Sequence, residues 1–248
     1  MKKFLIFALA VVSFTACKKE ESSTKDGLGS MKIEFDHQIG HSGLVMGSEA
    51  YTFGANTNVK INTVKYYVSN VVLEKEDGTT FIVDDSYHLV DGSNASSLDF
   101  LIDDIPSDSY HKISFMVGVD EPRNTAGAQE GALDPANGMF WSWNNGYIFL
   151  KLEGTYGSEE DNFTYHIGGF QGEYASQQQI ELSLHGDMLD ISDNETATVH
   201  TVVNLEEFFE NPIDWNIDNQ PAMTMSGMMA KTISDNYADM FSVHHLHE

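Results

Sequence analysis

The chain has 248 residues, 38 of them Asp or Glu against 13 Lys or Arg, for a formal net charge of −25. A surface this acidic repels phosphate backbones and anionic lipid, which excludes nucleic acid as a partner. With a single cysteine the domain holds no internal disulfide, so an apolar core must stabilise it, and the length is ample for one.

Residues 1–16, MKKFLIFALAVVSFTA, have the layout of a secretory signal peptide: two lysines, a short apolar run, then small residues before Cys17. The run is too short to remain as a membrane span. A lone cysteine at the cleavage point predicts a lipoprotein lipidated at Cys17. The following CKKEE resembles the lysine-plus-acid signal of surface lipoproteins of Bacteroidetes, which places the protein at the outer membrane, facing periplasm or cell surface. Residues 17–30, charged and then rich in Ser and Gly, read as a flexible tether.

From 31 to 248 the pattern predicts one domain. Alternating apolar residues, many of them β-branched or aromatic, mark strands at 31–37, 59–83 with a hairpin turn at Asp77-Gly78, 86–91, 109–120, 138–154, 162–168, 178–186 and 196–204. The segment 205–212 reads as a short helix stopped by Pro212. Helical spacing of Met229, Ile233, Tyr237, Met240 and Phe241 predicts a C-terminal helix over 226–243. The expected fold is all-β, a single sandwich or barrel-like domain with a C-terminal helix. One long irregular stretch, 120–138, interrupts the strands, and loops of that length are usually functional or disordered.

Serine-hydrolase, zinc-protease and phosphate-loop signatures are missing, so a binding protein is expected rather than an enzyme. Ten histidines remain as metal donors. His37 and His41 stand where a strand runs into a Gly-containing loop, and they read either as ligands or as polar loop residues. His166 ends a strand before two glycines. His244, His245 and His247 crowd the terminus, as a loose copper or nickel tail or as a frayed polar end. His88, His111, His185 and His200 stand in strands without clustered partners. Methionines 223, 225, 228, 229 and 240 read as core filler or as thioether ligands for Cu(I). In MFWSW, alternation puts Trp141 and Trp143 on one strand face and Phe140 and Ser142 on the other, which core packing alone accounts for.

GVD at 118–120, Asn124, Gly127, GALDP at 131–135, MFWSWNNGYIFLKLEG at 139–154 and YHIGG at 165–169 together resemble the MbnP-like family of secreted copper-binding proteins. VKYYVSNVVL at 64–73 and ISDNYADMF at 233–241 extend the resemblance over nearly the whole mature chain. It implies copper as the bound metal. It also implies a partner, a di-haem peroxidase-like enzyme that oxidises one tryptophan to kynurenine, whose arylamine then joins histidines as a copper ligand. On this resemblance Trp141 or Trp143 is the modified residue, His166 matches the histidine of the family's H-[IL]-G motif, and His37 matches an early histidine. The expected role is copper acquisition or storage, with a copper transporter as a further partner. The alternative is an outer-membrane lipoprotein that binds glycan or protein through exposed aromatic residues.

Overall fold

The computed structural model describes residues 27–142 and 146–247. The signal segment, Cys17, the chain to residue 26 and Trp143 lie outside the described residues, and so do the expectations attached to them.

In chain order the main elements begin with the strands β1 (Leu28–Ile39), β2 (Asn56–Glu74), β3 (Thr80–Ile82), β4 (Tyr87–Asp91), β5 (Asp99–Pro106) and β6 (Lys112–Val117), followed by the helix α1 (Glu121–Thr125). Next come the strands β7 (Phe140–Ser142), β8 (Gly146–Tyr147), β9 (Leu150–Tyr156), β10 (Asp161–Ile167), β11 (Gln178–Ser183) and β12 (Thr196–Asn204). The chain ends with helices α2 (Glu207–Glu210) and α3 (Met228–Tyr237) and the strand β13 (Phe241–His247).

Two curled sheets face one another. The larger runs β11–β6–β2–β9–β10, with β3 and β4 also paired to the long β2. The smaller runs β13–β12–β1–β5, and β13 is its edge. Strand β1 lies parallel to β12, whereas its pairing with β5 and that of β12 with β13 are antiparallel. Alternation decides what lies between the sheets. Met31, Ile33 and Phe35 of β1, Val64, Tyr66 and Val68 of β2, Leu150 and Leu152 of β9, and Tyr165 and Ile167 of β10 all enter one buried apolar cluster. Residues of opposite parity, such as Glu34, Lys65, Glu153 and His166, face outward.

The all-β prediction with a late helix holds. The Asp77-Gly78 turn joins β2 to β3, with Lys75 N–H donating to the Thr79 carbonyl. Three predicted boundaries shift for physical reasons. Strand β1 starts at Leu28, inside the predicted tether, because Gly29 lies where a Cβ would stand 2.3 Å from the Ser192 carbonyl oxygen; a larger residue would push this end of the strand away. The predicted helix over 226–243 stops at Tyr237, and a short 3-10 turn leads into β13, where Phe241 and Val243 are buried and Ser242 is not. The predicted strand over 138–154 is broken into β7, β8 and β9. Among the described residues no helix is long and apolar enough to cross a membrane.

Candidate metal centres

Segment 120–138 is folded across the outer face of the larger sheet. Asp120 caps α1 by accepting from the Arg123 N–H at 3.0 Å, and it also accepts from Asn70 Nδ2 at 3.1 Å. Farther along, Tyr147 Oη donates to the Leu133 carbonyl (2.7 Å), Tyr67 Oη to that of Ala132 (3.1 Å), and Lys151 Nζ to that of Gly138 (2.6 Å). Tyr67, Val119, Leu133, Met139, Tyr147, Ile148 and Phe149 form a second apolar cluster beneath this cover, and Phe140, Trp141 and Phe170 pack against it.

Asn124, 1 % exposed, ties the cover to MFWSW. Its Nδ2 donates to the carbonyls of Val119 (2.6 Å) and Asp120 (2.9 Å), while its Oδ1 accepts the Tyr147 N–H (2.9 Å). Gly146 permits this approach, since a Cβ there would sit 2.2 Å from Asn124 Oδ1, and its φ of +71° suits glycine.

The expected alternation in MFWSW does not hold for Phe140 and Trp141. Phe140 opposes Tyr147 and Ser142 opposes Gly146, so β7 carries one residue more than β8, and Trp141 sits at the bulge. Both aromatic side chains therefore turn to the same cluster. The indole lies over Gly168, where a Cβ would stand 2.9 Å from its ring. His166 is two residues before Gly168, near the end of β10, and half-buried on the strand's outward side. Its Nε2 is 2.7 Å from Glu153 Oε1 on the neighbouring strand, which leaves Nδ1 as the free donor atom. Burial pushes the Glu153 carboxyl up, but the hydrogen bonds from His166 and Thr63 and the charges of His166 and Lys151 outweigh it, holding the acid below its ordinary value. A carboxylate behind an imidazole is the usual support of a metal-ligating histidine. The arrangement leaves His166 Nδ1 able to bind a metal, with Glu153 as its support.

His37 does not join this face. It points between the sheets, its ring edge-on to Tyr66 with centroids 5.7 Å apart, and burial drives its pKa down to about 4. Both His37 Nε2 and Tyr66 Oη are buried without a hydrogen-bond partner. His41 is exposed in the turn after β1, so the i, i+4 spacing of the two histidines unites nothing. Of the five methionines weighed as ligands, Met223 and Met240 are buried in the core, while Met225, Met228 and Met229 are exposed. Trp215 packs against the main core and donates its indole N–H to Tyr165 Oη at 3.1 Å, which removes it from any exposed stacking platform.

The histidine tail, by contrast, is ordered as β13. Pairing brings His245 opposite His200 and His247 opposite Thr198. His200, read from sequence as isolated, is thus the residue that sequence reasoning missed; together with His245 and His247 it offers three ligand atoms all within 4.8 Å of one another. Here too a bulge intervenes. Thr201 opposes Val243 while His200 opposes His245, leaving His244 as the extra residue, and the Nδ1 atoms of His244 and His245 come within 2.8 Å.

The fold and these sites define a class: a curled two-sheet β protein presenting imidazole donors on its outer faces. The chain matches the family model described as MbnP over residues 28–227, and it belongs to the MbnP family. Among solved structures it is similar to MbnP from Methylosinus trichosporium, with 14% identity and a TM-score of 0.53 over 79% of this chain and 83% of that one, a likeness of fold. No curated protein matches the chain in sequence.

Proposed function

We propose that this protein binds copper outside the cytoplasm as cargo, for acquisition or storage, rather than acting as an enzyme, and that Trp141 and His166 mark its principal site. The observation that carries the reading is the indole of Trp141 lying over Gly168, two residues along the chain from His166, whose imidazole has Glu153 behind it. In the proposed maturation a di-haem peroxidase-type partner, with peroxide as oxidant, cleaves the indole C2–C3 bond. Two peroxides accept the four electrons and four protons and end as water, two water oxygens enter as the C3 ketone and the C2 formyl group, and a further water releases C2 as formate. The arylamine left behind is a neutral nitrogen donor beside His166 Nδ1, a set that suits copper. Anchoring through a lipidated Cys17 at the outer membrane, and delivery to a copper transporter, complete the proposal.

The test is mass spectrometry of the 139–149 peptide from protein made in its native host, with copper assayed on the same sample. Conversion adds about 4 Da, which fragment ions place on one tryptophan. Conversion at Trp141, with the copper of the Trp141 face retained by wild type and one equivalent fewer held by His166→Phe, is the expected result. An unmodified peptide without copper, or conversion at Trp143 alone, overturns the assignment.

A further inference from the structure

We propose that His200, His245 and His247, with His244 at their rim, form a second metal site that takes a divalent late first-row transition ion, Cu(II) in preference to Zn(II). It is separate from the Trp141–His166 face. His200 and the tail histidines lie outside the smaller sheet and His166 outside the larger one, with the apolar core between them.

Four observations converge on the site. The first is spacing. Metal–nitrogen bonds of about 2.0–2.1 Å put neighbouring ligand nitrogens about 2.9 Å apart around a square-planar ion and about 3.3 Å apart around a tetrahedral one. The Nε2 atoms of His245 and His247 are 3.1 Å apart, and the His200 ring stacks on that of His245 at 4.1 Å between centroids. All three ligand atoms lie within 4.8 Å of one another, and rotation of the imidazoles about their side-chain bonds would aim three nitrogens at one point.

The second is orientation. His200 Nδ1 is 2.8 Å from Glu34 Oε2, and Lys32 holds the other carboxylate oxygen. A proton on Nδ1 donated to Glu34 fixes the ring's orientation and leaves the Nε2 lone pair for a metal. The third is access. A groove of about 560 Å³ opens beside the cluster, lined by His244, His245, His247, Asp187, Met188 and Asp190, so an ion can enter from solvent.

The fourth is the bulge at His244. A regular strand would send His244 and His245 to opposite faces. The extra residue cancels the alternation, so both imidazoles stand outward while Leu246 packs against the core. Nitrogen-only donors of this kind favour Cu(II) over Zn(II) in the ordinary affinity series.

The experiment titrates the mature chain, made without any tryptophan-oxidising partner, with Cu²⁺ alone, followed by calorimetry and by electron paramagnetic resonance. One tight equivalent with nitrogen hyperfine structure is expected. His166→Phe should leave it unchanged, whereas His245→Ala combined with His247→Ala should weaken it at least 100-fold. Glu34→Gln should weaken it about 10–100-fold, as loss of a supporting carboxylate does. Metal-free thermal unfolding of each variant establishes that it is folded, and His200→Gln serves as a second single-site test. Absence of a tight equivalent in wild type, or the double variant binding as tightly as wild type, overturns the proposal. Neither outcome depends on kynurenine, so this site and the Trp141 site stand or fall separately.

Discussion

Asn124→Ala is expected to lower the free energy of unfolding by about 2 kcal/mol, because it leaves the buried Tyr147 N–H without an acceptor. It also takes one donor each from the Val119 and Asp120 carbonyls, which keep the Gln177 amide and the backbone N–H of residue 124 respectively. Little space opens for water to replace these bonds, since Gly146 lies against the side-chain oxygen and Phe170 covers the same point. The consequence extends beyond stability. Tyr147 anchors β8, which pairs with β7, so releasing it loosens the strand that seats Trp141 over Gly168. Urea unfolding should show a lower midpoint at unchanged slope, and the same variant should retain less copper at the Trp141 face. A loss below about 1 kcal/mol would mean that the cover over 120–138 is held mainly by its tyrosine and lysine bonds, and that Asn124 is secondary.

The alternation of apolar residues along β1, β2, β10 and β12 is plain in the sequence because each strand buries one face in a shared core. Local patterning therefore announced the fold, including the Asp77-Gly78 hairpin. What it hid were the places where alternation fails. The bulge at Trp141 breaks the alternation assigned to Phe140 and Trp141, and the bulge at His244 brings two adjacent histidines to one face. A bulge is set by the partner strand, which a single stretch of sequence does not contain. The tail shows the cost of this. Read as a frayed end, HHLHE has no partners; read as a strand, its His245 must face something across an antiparallel ladder, and that residue is His200. The signal was present in the burial pattern of FSVHHLH, apolar at Phe241, Val243 and Leu246, but helical spacing upstream obscured it.

The candidate sites were legible in the same uneven way. His166 and Trp141 stand out in the sequence because their motif is compact, and the fold sets the Trp141 indole over Gly168, two residues beyond His166. His37 stands apart from His166, although a resemblance in sequence position put the two together. Parity places it with Phe35, inside, and its burial between sheets is an outcome of how β1 sits over Tyr66.

That burial carries the last prediction, a loss of stability in mild acid. His37 and His88 both have pKa values pushed down to about 4, in each case by burial. His37 faces Tyr66, and His88 stacks flat on Phe100 at 3.6 Å, with Lys65, Asp91 and Asp99 lining the cavity beside it. In the unfolded chain a histidine titrates near its ordinary value of about 6.5. Between that value and 4 the unfolded state binds the proton that the folded state refuses, so the stabilisation is complete above about pH 6.5 and is lost as pH falls. At pH 5 the loss from His37 is about 2 kcal/mol, and that from the less buried His88 is smaller, about 1 kcal/mol. Urea unfolding at pH 7.5 and pH 5 should reveal the sum. His37→Phe and His88→Phe should each flatten the pH dependence by its own share, and His37→Phe also removes a buried nitrogen that has no partner, so its stability at pH 7.5 should stay near wild type. A pH dependence unchanged in both variants would place the acid sensitivity elsewhere, in the carboxylates held low by their hydrogen bonds, whose contribution fades only nearer pH 4.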